Sequence, residues 1–218
     1  MIREKLVEYA KLAWDRKLTE STGGNMSVRH GSEILITPTT VIKHFLVPED
    51  IVAMTPEGKQ TGGLRKASSE YRMHLRIYEK CPDVGSVFHA HPAHATAMAV
   101  MQRAIPVNTL PEAALMLAPI TYLPYKMPGT DEFADAFNEG LEMGSRVFVL
   151  QNHGVTAAGK DIEEAYAKLE TLEFLAQIAF LSGAKPGHLE IPTEDILLFL
   201  EHVLGRKVTD YRSDYWFK

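Results

Sequence analysis

The chain has little of what would tie it to a membrane, to nucleic acid or to an oxidising compartment. Of its 218 residues one is a cysteine, Cys81, so no disulfide can form within it and a reducing, cytoplasmic setting is expected. No apolar run approaches the roughly 20 residues that cross a bilayer, and Met1-Ile2-Arg3-Glu4-Lys5 reads as the start of a charged amphipathic helix, not as a signal peptide. With 23 Lys and Arg against 28 Asp and Glu, the formal charge is -5. The basic residues are scattered and no basic stripe accompanies an aromatic cluster, so neither nucleic acid nor a membrane is an expected partner. Low-complexity linkers are also missing. At 45% hydrophobic residues, the chain is long enough for one domain, 1–218, with a full core.

What is present is an alternation of short elements. Ile2, Leu6, Tyr9 and Ala13 recur at helical spacing, and strands are expected at 26–29 and 34–37 about the His30-Gly31-Ser32 turn, then at 51–54. A helix over 70–80, a strand over 84–89 and a helix from Pro92 follow. Strands are expected near 106–110 and 120–123, a helix over 131–143, and a strand over 147–150. A long helix over 161–182, with Ala165, Leu169, Leu172 and Ala176 on a core-facing stripe, is stopped by Gly183, and a last helix begins at Thr193. Strands mixed with helices and an early hairpin predict an α/β fold, a mixed sheet between helical layers.

The chemistry concentrates at three places. In Val87-Phe88-His89-Ala90-His91-Pro92, a strand's period of two sends His89 and His91 to one face, where two imidazoles can share a metal ion. A second apolar run, Val147-Phe148-Val149-Leu150-Gln151-Asn152-His153-Gly154, ends in a third histidine, with Gly154 permitting a sharp turn. Three histidines leave a fourth coordination position open, as a catalytic metal requires. The remaining signals are anion-compatible. Ser68 and Ser69 precede the helix over 70–80, which either serine can cap, and Thr22-Gly23-Gly24-Asn25 can present amides to an anion or form an ordinary turn. Glu70 lies in the first turn of that helix, either as an acidic residue favoured by the dipole or as a carboxylate aimed into a site.

Thr22-Gly23-Gly24-Asn25-Met26-Ser27, Ser68-Ser69-Glu70, His89-Ala90-His91 and Gln151-Asn152-His153-Gly154, in that order and spacing, resemble the class II aldolase/adducin family, closest to its fuculose-1-phosphate aldolase branch. The resemblance implies a three-layer α/β/α domain with a mixed, mainly antiparallel central sheet. It implies a metal-dependent lyase that splits a short (deoxy)ketose 1-phosphate into dihydroxyacetone phosphate and a small aldehyde. The ion, Zn2+ or another divalent metal such as Mn2+, Co2+ or Fe2+, would sit on His89, His91 and His153. Glu70 would complete the metal shell or shuttle a proton, and Asn25, Thr39, Ser68 and Ser69 would hold the phosphate. Family members are tetramers with sites at subunit boundaries, so a homotetramer is expected. No lysine is needed for a Schiff base, and the lysines, Lys66 among them, read as surface charge.

Two departures bear on the substrate. Thr40 stands where the aldolase branch has glycine, and Leu110 where it carries a tyrosine acid. Glu112, two residues on, resembles the acid/base residue of methylthioribulose-1-phosphate dehydratases, or simply sits in a helix's first turn after Pro111. A dehydratase or a ribulose-phosphate 4-epimerase on the same site is therefore the alternative, and a non-catalytic adducin-like module a more distant one. The tail residues Tyr211, Tyr215 and Trp216 could supply the missing acid across a subunit boundary. His94 reads as support behind the metal or as core, His74 as lining its helix, and His30, His44, His188 and His202 as turn or surface residues.

Overall fold

The structure, a computed structural model, describes residues 1–183, 190–205 and 207. Eight strands make one sheet in the order β4-β3-β2-β1-β5-β8-β7-β6. Its members are β1 (Asn25–His30), β2 (Glu33–Ile36), β3 (Val52–Met54), β4 (Gln60–Gly62), β5 (Ser86–Ala90), β6 (Ile120–Leu123), β7 (Val147–Leu150) and β8 (Gly154–Gly159). Only β6 and β7 run parallel, so the expected mixed, mainly antiparallel sheet is what forms. Edge strand β4 and the central strand β8 are the two that the sequence reading does not anticipate.

Alternation along the central strands sorts residues between two helical layers. Phe88 and Ala90 of β5, Met26 and Val28 of β1, and Val155 and Ala157 of β8 share one core cluster. It is filled from the helical side by α1 (Ile2–Asp15), α3 (Ala93–Val100), α4 (Pro111–Leu117) and α7 (Ile162–Ser182). Val87, Phe148 and Ala158 face the opposite layer, built from α2 (Tyr71–Lys80), α5 (Asp131–Asp135) and α6 (Asn138–Glu142). The polar positions of the same strands, Asn25, Ser27, His89 and Thr156, fall in phase with Val87 and so lie on the α2 side. Helix α8 (Thr193–Leu204) buries Ile196 and Leu200 against Ala114 of α4.

The long helix α7 is capped as its sequence suggests: Asp161 accepts the Glu164 amide at 2.8 Å, and Gly183 closes it at φ 64°. Ala165, Leu169, Leu172 and Ala176 are all fully buried. Three local expectations are corrected. Residues 107–109 form a 3-10 turn leading into α4, not a strand, because Pro106 and Pro111 remove ladder donors and Leu110, extended before Pro111, starts the helix. The helix over 131–143 divides into α5 and α6 about a turn at Ala136 and Phe137, with the Phe137 side chain fully buried. Lys168 is buried, not a surface charge, its ammonium donating to Glu164 at 2.6 Å and to the Ala158 carbonyl. Among the described residues, no helix is long and apolar enough to cross a membrane.

Candidate active site

His89, His91 and His153 come together at the end of β5 and the β7–β8 turn, with ligand atoms all within 4.8 Å of one another. The His89 and His91 Nε2 atoms are 3.1 Å apart. Glu70 places Oε2 3.4 Å from His89 Nε2 and Oε1 3.2 Å from His153 Nε2. A tetrahedral ion with ligand bonds of about 2.0–2.1 Å has donor-to-donor edges of about 3.3 Å, which these separations match. The far side of each ring sharpens the point. His91 Nδ1 lies 3.0 Å from Glu20 Oε1 and donates to it. Thr156 spends its hydroxyl hydrogen on Met73 Sδ, so its oxygen accepts from His89 Nδ1 at 3.2 Å. Both Nε2 atoms then carry lone pairs, which repel at such a distance unless a cation lies between them. His153 Nδ1 and Glu70 Oε1 are buried with no hydrogen-bond partner among the described residues. The donor set therefore fits a divalent ion.

Local sequence explains how the rings meet. A Cβ at Gly154 would stand 2.4 Å from the Ala90 carbonyl and 2.6 Å from His91 Cδ2, so glycine is needed for this close approach. The sharp turn expected of Gly154 belongs instead to Asn152, at φ 54°. Gly24, at φ 70°, plays a similar part on the other side, where a Cβ would meet the His89 carbonyl at 2.8 Å.

Glu70 occupies the cap position of α2 itself, one residue before the first turn, and neither serine caps the helix. Ser68 Oγ instead accepts the Glu70 amide at 3.3 Å. Burial disfavours the Glu70 charge, but His89, His153 and the Asn25 amide outweigh it and hold the carboxyl well below the usual range. Burial pushes His89 down to about 3 against the pull of Glu70, leaving a neutral ring ready to ligate.

The anion-compatible loops also converge. Pro38 bridges to Ala67, Thr39 donates its amide to Lys66, and Ser68 donates to Thr37, which sets Thr39 beside Ser68 and Ser69. Lys43, against expectation, is fully buried, and its ammonium donates to the Thr22 and Val41 carbonyls at 3.0 Å each, tying the Thr22-Gly23-Gly24 loop to this pair. Burial lowers its pKa to about 8. Thr40 sits at φ 55°, where a β-branched side chain is strained and glycine is not. Asn25 is more committed than a phosphate ligand would be: its Nδ2 donates to Glu70 at 2.6 Å and its Oδ1 faces His74.

Other residues stay apart. Glu112 is exposed on α4 and takes no part in the described contacts of the histidine cluster. Leu110 packs against the apolar core. His94 pairs with Glu173 at 2.7 Å, and the same carboxylate accepts the first amides of α3. His74 is fully buried, not merely lining its helix. Tyr211, Tyr215, Trp216 and His188 lie outside the described residues. Ser27, His74, Tyr78, Glu20 and Lys43 join the site without an expectation from the sequence. For Glu70, His74 and Tyr78 the spacing i, i+4, i+8 was the available signal.

A pH consequence follows from His74, which burial lowers to about 4 from 6.5. The unfolded chain gains a proton at this site below pH 6.5 that the fold refuses until near pH 4, so stability is complete above that window and falls as pH drops through it. At 1.36 kcal/mol per unit, the loss is about 3 kcal/mol from this group. Denaturant titrations at pH 7 and pH 4.5 should show it as a lower midpoint with unchanged slope, and equal midpoints would contradict a buried neutral His74.

Known proteins resemble this chain over most of its length. The family model described as "Class II Aldolase and Adducin N-terminal domain" matches residues 4–180. An L-fuculose phosphate aldolase of Methanococcus maripaludis is 36% identical over 177 residues, 81% of this chain and 95% of that relative. A 5-deoxy-D-ribulose 1-phosphate aldolase of Bacillus thuringiensis is 35% identical over 181 residues, 82% of this chain and 84% of that protein. A solved structure of an L-fuculose 1-phosphate aldolase superposes with a TM-score of 0.83 at 29% identity, covering 92% of this chain and 95% of that one.

Proposed function

We propose that this chain, which belongs to the class II aldolase and adducin family and is a carbon–carbon lyase, cleaves a short (deoxy)ketose 1-phosphate to dihydroxyacetone phosphate and a small aldehyde. The observation that carries the reading is the Glu70 carboxyl group set 3.2–3.4 Å from two imidazoles of a three-histidine cluster, beside the loops that carry Thr39, Ser68 and Ser69. Zinc suits this donor set, with manganese, cobalt and iron as alternatives. Bound there on His89, His91 and His153, the ion would act as a Lewis acid toward the negative charge of an enediolate.

The chain's own residues supply the rest. Thr39, Ser68 and Ser69 hold the phosphate, and the α2 amides, which lack a side-chain cap, favour the same charge. Glu70 Oε1, without a hydrogen-bond partner among the described residues, exchanges the proton on C3, the carbon beside the carbonyl. In the cleavage direction the C3–C4 bond breaks, its electron pair passes to the ketose carbonyl, the C4 hydroxyl proton leaves, and C3 is protonated. Exchange at the C4 oxygen needs a further acid, and Leu110 cannot provide one. Glu112 is exposed on α4 and apart from the histidines of its own chain, and the homotetramer expected from the family resemblance would let a neighbouring subunit supply that acid. Compartment and oligomeric state enter as parts of the same reading: a cytoplasmic tetramer.

The two aldolase relatives differ in their named sugars, so the test uses a panel. The purified zinc-loaded protein is incubated with fuculose 1-phosphate, 5-deoxyribulose 1-phosphate and ribulose 1-phosphate, and dihydroxyacetone phosphate is assayed. Its release with the matching aldehyde is the expected result. A product of unchanged carbon count would favour the dehydratase or 4-epimerase reading, which Leu110 and Glu112 motivate.

A further inference from the structure

We propose that Tyr78, Ser27, His74 and Asn25 form a one-way chain of hydrogen bonds that positions Glu70, making Ser27 and His74 positioning residues for the reaction. The inference rests on the reading that Glu70 works in the site. Its geometry comes from two periodicities. Asn25 and Ser27 are two apart on β1 and share a face, while Glu70, His74 and Tyr78 follow at i, i+4 and i+8 on the facing side of α2. All five are buried. Asn25 Nδ2 lies 2.6 Å from Glu70 Oε2, Asn25 Oδ1 2.5 Å from His74 Nε2, His74 Nδ1 2.7 Å from Ser27 Oγ, and Ser27 Oγ 2.7 Å from the Tyr78 hydroxyl.

The direction of each bond follows from the one before it. Asn25 presents its Nδ2 to Glu70 Oε2 at 2.6 Å and donates to it, with its Oδ1 turned the other way. Its Oδ1 then faces His74, whose Nε2 must carry the hydrogen. A neutral His74, which its complete burial favours, leaves Nδ1 as an acceptor. Ser27 donates to it and in turn accepts from Tyr78, which burial keeps protonated. Four groups thus deliver aligned dipoles to a single carboxylate oxygen, in a dry interior where such bonds reinforce one another. The consequence is asymmetric: Oε2 of Glu70 is pinned, while Oε1, beside His153, has no hydrogen bond among the described residues.

The test pairs a spectroscopic readout with kinetics on the zinc-loaded protein. Nitrogen-15 NMR of labelled histidines should show His74 as a neutral ring with the proton on Nε2. His74→Phe keeps the shape and removes the donor, so kcat falls by about 10- to 100-fold, the range typical of groups that orient site residues, with KM within about twofold. His74→Gln, whose amide can still donate to Asn25, recovers most of kcat. Tyr78→Phe, which leaves Ser27 free to donate, lowers the melting temperature more than it lowers kcat. A purely structural role would move melting temperatures and leave the kcat of the folded, metal-loaded variants alone. The proposal is overturned if His74 carries its proton on Nδ1 or on both nitrogens, or if His74→Phe turns over like the wild type at equal metal loading. Wild type inert toward every ketose phosphate, with the Nε2–H ring intact, would sink the aldolase reading and leave the hydrogen-bond chain standing.

Discussion

His153→Ala loses at least about a thousandfold in kcat/KM and most of its bound metal, while its melting temperature stays within a few degrees of the wild type. The first part follows from the donor set. His89 and His91 alone offer two nitrogens 3.1 Å apart, and an ion held by two protein ligands exchanges readily with chelators. Lewis-acid stabilisation of an enediolate is worth several kcal/mol, and about 4 kcal/mol corresponds to a thousandfold in rate. The second part follows from what the ring does for the fold. His153 lies in a turn, its Nδ1 is buried without a partner among the described residues, and removing an unsatisfied group returns part of what the lost packing costs. His94→Ala is the contrasting control: it breaks the 2.7 Å pair with Glu173 at the start of α3, so it should lose stability and keep its metal. Metal content, measured alongside kcat/KM, decides the matter. A His153→Ala protein that retains full metal and turnover would remove this ring from the site.

Glu70→Gln separates the two roles a carboxylate can have there. If the three histidines suffice to hold the ion, as their convergence indicates, the variant keeps about one metal per chain. Its kcat still falls by about 100-fold or more, the usual scale for a lost general acid or base. The glutamine side chain keeps the volume, and its carbonyl oxygen can accept from Asn25 in place of Oε2, so the fold should change little. The charge is what disappears, and with it the capacity of Oε1 to take a proton. Zinc titration against a chromogenic chelator, followed by kcat on the loaded protein, is the measurement. Loss of metal in proportion to activity would make Glu70 mainly a ligand; unchanged kcat would exclude it from proton transfer.

Much of this was legible residue by residue. Long α7, with Asp161 before it and Gly183 after it, forms where its apolar stripe and caps say it should, because both signals are local. His89 and His91 fall on one edge for the same reason, a strand's period of two. Glu112 and Leu110 show the opposite case. A sequence places them two residues apart, but exposure of one and core packing of the other depend on where α4 docks. Lys43 reads in the sequence as surface charge because lysines are mostly exposed. Its burial depends on two carbonyls, of Thr22 and Val41, supplied by loops about twenty residues apart.

The sequence alone determined the kinds of element, the order of the motifs and the side chains capable of ligation, since these depend on periods of two and 3.6 and on the chemistry of each residue. Tertiary structure decided which of those side chains meet. It brought His153 to His89 and His91 across the β5–β8 pairing, packed the His74 face of α2 onto β1, and so gave Glu70 its partners. Contacts between distant segments are set by packing many apolar groups at once, and no local pattern encodes that sum.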